Sequence, residues 1–332
     1  MNNSKNTFKI NNVKEITDSF SLCSLDNIFI VFKSINNIFY LIYATKNNSI
    51  ILYELLADIK ICEIKKAHKE YISNFRHHLD KINKRDLMIS ISSRDSNIKL
   101  WNIGNIECLL SIKGIYKEGY LNSSCFLEDN NHKIYIITSN FNFNTFEPIK
   151  VFDLEGKELK EINDSNDKTY IIDSYFDEIS NKNYISTGNM GCIKSFDFQE
   201  NKLYNIFRDD SKRPHFSLIF FEDEKDKILK LIDSCYDGLI RIWNFHTIDL
   251  LNIINISHGI NSISLFNDNY IFISCYDKEI KIVNILNGEI KEFLGINKDI
   301  ISLVTVGDSS FGYYLITEGF EEDPIVIYNL EM

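Results

Sequence analysis

Short apolar stretches recur along the chain, each alternating its side chains between two faces as a half-buried strand does. One of them, Ile240-Arg241-Ile242-Trp243-Asn244-Phe245, follows the turn pair Asp237-Gly238, a strong short-range hairpin signal. The same shape returns at residues 50–55, 98–103, 149–154, 193–198, 280–285 and 325–330. All seven copies begin with Ile, and the fourth position is a large apolar residue: Tyr53, Trp101, Phe152, Phe196, Trp243, Val283 and Tyr328. The fifth is Asp, Asn or Glu. Successive landmarks are 48, 51, 44, 47, 40 and 45 residues apart. That spacing is the period of four-stranded propeller blades. The pattern therefore predicts an all-β protein, a seven-bladed β-propeller of four-stranded antiparallel blades, with residues 1–332 as a single domain. No helix-period segment interrupts it.

After the last copy only Glu331 and Met332 remain, so the seventh blade has no outer strand from its own end of the chain. The N-terminal segment is expected to supply it, through Thr7-Phe8-Lys9-Ile10 or Ser19-Phe20-Ser21-Leu22-Cys23, which closes the ring and covers an open sheet edge. In the first blade, residues 59–64 read as a half-exposed outer strand. In the second, the inner strand is placed at residues 71–75, and the polar stretch from His77 to Asp86 is expected to be a long surface loop.

With these seven strands in register, the chain resembles the WD-repeat (WD40) family of β-propellers over nearly its whole length. The signature Trp-Asp is weakened to Trp-Asn, Phe-Asp or Tyr-Asn. The resemblance implies a hydrogen-bonded network in which a His before the first strand, a Ser late in the second and an Asp in the next turn are joined to the Trp. One blade has all four, at His68, Ser93, Asp95 and Trp101. Asp237 and Trp243 keep two, with Cys235 at the Ser position, while His258 and Asp277 lack the indole because Val283 replaces it.

Composition narrows the partners. A 44% hydrophobic content suffices for a core, and 36 basic against 47 acidic residues, a formal charge of −11, argue against direct nucleic-acid binding or a bare anionic membrane. The seven cysteines are scattered without a Cys-x-x-Cys pair, so neither a disulfide framework nor a metal site is expected. Without an apolar leader or an 18-residue apolar run, membrane insertion is not expected and the location reads as cytoplasmic or nuclear.

Catalytic chemistry has few footholds. The pair His77-His78 would point to opposite faces of a strand, and no carboxylate or Cys stands near either at ligand spacing. The Gly-x-Ser-x-Gly, Walker and His-Glu-x-x-His patterns are all absent. No catalytic, cofactor-binding or metal-ligating residue is assigned, and no cofactor is expected.

Within the family, phosphoinositide binders carry Phe-Arg-Arg-Gly, which is missing here. Cullin-type ubiquitin-ligase receptors place Arg two residues after the Asp of Trp-Asp, where this chain has Gly104 and His246. The reading is a non-enzymatic interaction scaffold for a protein or peptide within a multi-subunit complex. Below it rank a ubiquitin-ligase substrate receptor or other peptide reader, then a propeller enzyme. Turns between second and third strands share a face with the inter-blade connections, and two of them are enlarged, at residues 140–148 and 318–324. The partner is therefore expected at Phe141, Phe143, Phe146 and Phe320 of these turns and at Arg94, Tyr236 and Tyr276 of the regular ones, because aromatic residues and Arg dominate binding hot spots. The simpler reading is that the Phe rings tuck down onto neighbouring blades and the Tyr rings pack in the channel mouth.

Overall fold

The computed structural model describes residues 9–20, 28–117, 120–141, 147–162, 168–223, 227–292, 299–321 and 323–331. Seven four-stranded antiparallel sheets form in chain order, and the described residues contain no helix. The inner strands, Phe29–Lys33, Asn74–Asp80, Tyr120–Glu128, Ile171–Asp177, His215–Asp223, Ile260–Asn267 and Ile300–Asp308, neighbour one another in sequence, and the seventh returns to the first. The molecule is a seven-bladed β-propeller, as the periodicity predicts.

The seventh blade is closed by the N-terminal strand. Lys9–Ile16 runs antiparallel to Ile325–Glu331, with Ile10 opposite Leu330 and Ile16 opposite Ile325, and a bulge between Asn12 and Lys14. The closing strand thus begins in the first expected segment and extends beyond it. In the second segment Ser19 and Phe20 lie outside any strand, and residues 21–23 lie outside the described residues.

The recurring landmark has a packing cause. In each third strand the fourth residue points at the preceding blade. Trp101 sits in the apolar layer with Phe32, Ile42 and Leu52 of blade 1, Trp243 with Tyr184 and Phe207 of blade 4, and Tyr53 with Ile316 and Ile327 of blade 7. A large apolar residue at this point fills the wedge between two twisted sheets, and truncating a buried aromatic there costs about 3–5 kcal/mol. Outer strands bury far less. Ile50–Glu54 is buried along nearly its whole length, whereas Ile59–Ile64 is mostly exposed.

One segment departs from expectation. The stretch from His77 to Asp86 is no surface loop: Asn74–Asp80 and Arg85–Ser92 form a hairpin joined by residues 81–84, so the inner strand also lies further along than residues 71–75. The two histidines do face opposite ways, each into a different inter-blade gap. His77 stacks on Phe32 with ring centroids 3.8 Å apart and its Nε2 lies 2.8 Å from Asp86. His78 turns to blade 3, its Nε2 3.0 Å from Glu128 and its ring beside Phe126. Both have carboxylate partners that sequence spacing did not show, because the partners come from the facing strand or the next blade.

Candidate protein-interaction surface

The turns between second and third strands are held against the inter-blade connections by backbone hydrogen bonds. Tyr236 N donates to Pro214 O at 3.0 Å, Tyr276 N to Gly259 O at 2.9 Å and Ile256 N to Gly238 O at 2.9 Å. These turns and connections share one face of the ring. Gly238, at φ +81°, is needed there, since a Cβ would come within 2.8 Å of His258 O.

On this face the sequence-derived candidates separate into groups. Phe141, Tyr236 and Tyr276 belong to one run of ring contacts crossing blades 3 to 6. Phe141 meets Tyr170 at 5.3 Å between centroids, Tyr170 meets Phe216 at 5.7 Å, Phe216 meets Tyr236 at 6.1 Å and Tyr236 meets Tyr276 at 5.1 Å. The last three contacts are edge-on, the favoured geometry for aromatic quadrupoles. Phe216 is the buried anchor, Tyr236 and Tyr276 keep 40% and 47% of their surface exposed, and the 45%-exposed Met190 lies against the Tyr170 hydroxyl. Arg213 lies 5.7 Å from the Tyr236 ring. Rings therefore do pack on neighbouring blades, yet their outer edges stay on the surface.

Arg94 is exposed and its guanidinium stacks on Tyr71 in blade 2, 5.2 Å from the ring. Phe320 is 39% exposed, in blade 7. No contact among the described residues joins either to the aromatic run. Phe143 and Phe146 lie outside the described residues.

The chain has no match among models of known protein families and none among curated proteins.

Sequence reading missed a second feature of the face. Between blades 1 and 2 a cleft of about 800 Å³ is lined by Lys66, Lys69, Lys99 and Lys113, with His68 and Asp95 in its wall. Four lysines line this one cleft in a chain whose formal charge is −11. Lys66 and Lys69 stand in the connection, Lys99 in the third strand and Lys113 just past the fourth, and only folding gathers them.

The expected His68 network forms with one member exchanged. Trp101 Nε1 donates to Ser90 Oγ at 2.9 Å, and His68 Nε2 lies 2.7 Å from the same oxygen. Ser93 instead pairs with Ser73. His68 Nδ1 and Asp95 Oδ1 are buried without a hydrogen-bond partner, so the expected bond between them is not made. The register explains the exchange. Ser90 pairs with Lys99 on the third strand, two residues from Trp101 and on the same face, whereas Ser93 lies beyond the strand's end in the turn. Burial, reinforced by the charge of Lys99, pushes the His68 imidazole down to about 3.

Blade 5 differs from expectation more strongly. Cys235 does not take the Ser position, because Trp243 Nε1 donates to Asp233 Oδ2 at 2.6 Å. Asp237 pairs with Arg241. Asp233 Oδ1 lies 2.8 Å from His215 Nδ1. Burial lowers the proton affinity of His215, but Asp233 and Asp209 outweigh it and hold the ring up at about 9. His258 Nε2 stands 3.6 Å from Asp277, on a blade where Val283 replaces the indole.

The described residues contain no helix long and apolar enough to cross a membrane.

Proposed function

We propose that this propeller is a divergent WD-repeat protein acting as a non-enzymatic scaffold, which holds a protein or peptide partner on the face carrying the second-to-third-strand turns. The observation that carries the reading is the run from Phe141 to Tyr276, which ends in two exposed tyrosines backed by the buried Phe216. Rigid aromatic edges over a packed base expose apolar surface at little entropic cost, the character of a binding hot spot. The lysine cleft between blades 1 and 2 extends the same face and favours a partner segment bearing carboxylates. Membership in a multi-subunit complex within the cytoplasm or nucleus accords with the sequence, as does the absence of recognised catalytic motifs.

Capture of partners by the tagged full-length protein, followed by mass spectrometry, tests the reading. Stoichiometric subunits are expected. Tyr236→Ala, Tyr276→Ala and Arg94→Ala should each weaken capture by about 1–2 kcal/mol while melting stays unchanged. Recovery of cullin machinery would favour the ligase-receptor reading. Normal capture by these variants, with loss on substitution of the opposite face, would overturn the assigned face.

A further inference from the structure

The interior of blade 5 gathers three carboxylates, Asp209, Asp233 and Asp237, around one imidazole, His215, and one guanidinium, Arg241. Asp209 is presented by the connection from blade 4. Its Oδ1 accepts from Ser211 N at 2.9 Å and Ser211 Oγ at 2.8 Å, which leaves Oδ2 3.0 Å from His215 Nε2. Gly191, at φ +66°, lets the connection lie this close, since a Cβ would approach Lys212 Cα to 3.1 Å. His215 Nε2 and Asp209 Oδ2 are both buried, and they meet without hydrogen-bond alignment. Cys235 Sγ, also buried, stands with them, and the three donor atoms lie within 4.8 Å of one another. The far side of the ring is fixed, because His215 Nδ1 pairs with Asp233, whose other oxygen is held by Trp243. A carboxylate on the second nitrogen is the arrangement that orients a metal-ligating imidazole.

We infer that blade 5 contains a site for a divalent transition metal of the zinc class, with Asp209 Oδ2, His215 Nε2 and Cys235 Sγ as ligands. Mixed oxygen, nitrogen and thiolate donors suit Zn²⁺ and Co²⁺ rather than Mg²⁺ or Ca²⁺. The 3.0 Å between Nε2 and Oδ2 is close to the roughly 3.3 Å separating two ligands about 2.0 Å from a tetrahedral ion. The Cys235 sulfur, within 4.8 Å of both atoms and 3.6 Å from Ser211 Oγ, offers the third donor. Arg241 Nη2 stands 3.3 Å from the same Asp209 Oδ2, and Asp237 pairs with its guanidinium. Binding takes Cys235 as the thiolate and His215 through the lone pair on Nε2.

The full-length protein, stripped with a chelator and dialysed, is titrated with Co²⁺ and followed by visible and near-ultraviolet absorption. Tetrahedral ligand-field bands and a thiolate charge-transfer band should saturate at one ion per chain, and Zn²⁺ should abolish both by displacement. Cys235→Ser should remove the charge-transfer band, and His215→Gln should weaken binding at least tenfold. Cys275→Ser is the control. Cys275 is buried two residues before Asp277, as Cys235 is before Asp237, but Ile273 replaces Asp233. If His215→Gln does not fold, Cys235→Ser decides alone. The absence of one-to-one saturation, or a spectrum unchanged by Cys235→Ser, overturns the site.

Discussion

Blades 2 and 5 each bury a tryptophan at the same point of the third strand and give its N–H a different acceptor. In blade 2 it is the Ser90 hydroxyl, shared with His68. In blade 5 it is the Asp233 carboxylate, shared with His215. That exchange is accompanied by opposite proton affinities for the two rings, one held near 3 by burial and Lys99, the other near 9 by the carboxylates facing it. The third strand follows suit. Lys99 donates to Ala67 O, while Arg241 bridges Asp237 and Asp209. A single acceptor position thus decides whether the indole and the imidazole share a neutral hydroxyl or a carboxylate.

The comparison is broken most severely at Asp233. Asp233→Ala leaves the His215 ring and the Trp243 N–H buried without their shared acceptor and should cost about 3–5 kcal/mol in denaturant unfolding. Ser90→Ala removes a neutral acceptor and should cost about 1–3 kcal/mol, with strong non-additivity when combined with Trp101→Phe. Equal losses at the two sites would erase the distinction between them. Ser93→Ala, outside the indole network, should cost less than Ser90→Ala.

A smaller effect sharpens the contrast through pH. The unfolded chain protonates His68 near its ordinary 6.5, the folded blade only near 3, so between these values the unfolded state holds the extra proton. The neutral ring's contribution is therefore complete above about pH 6.5 and lost as pH falls toward 3. His68→Gln should lose less stability than the parent over this window, and parallel pH profiles would refute the assignment.

The architecture was legible because seven apolar strands repeat in register, and each landmark answers the same wedge between blades. The indole acceptors were not, for physical reasons that differ by site. In blade 2 the run Ser90-Ile91-Ser92-Ser93 offers three hydroxyls, and only the strand register shows which shares the indole's face. In blade 5, Asp233 follows the apolar pair Leu231-Ile232 in a buried strand and could have signalled a buried partner. His215 gave no such sign, because it starts an inner strand instead of preceding one. The aromatic run was partly foreseen at Phe141, Tyr236 and Tyr276. Its links, Tyr170 and Phe216, come from a connection and an inner strand and become neighbours only when the ring forms.

The pairing of Lys9–Ile16 with Ile325–Glu331 has a consequence for synthesis. The Lys9–Ile16 strand is made before the rest of the ring and is the last to find its partner, so the nascent chain stacks its blades while the segment waits, unpaired, for Ile325–Glu331. Folding is then gated by a contact spanning nearly the whole sequence, whose search is slow relative to each local hairpin. The same adjacency makes the ring indifferent to where the covalent break falls. A circular permutant with residues 9 and 331 linked and a new opening between two blades should retain all seven sheets, yet assemble in a different temporal order.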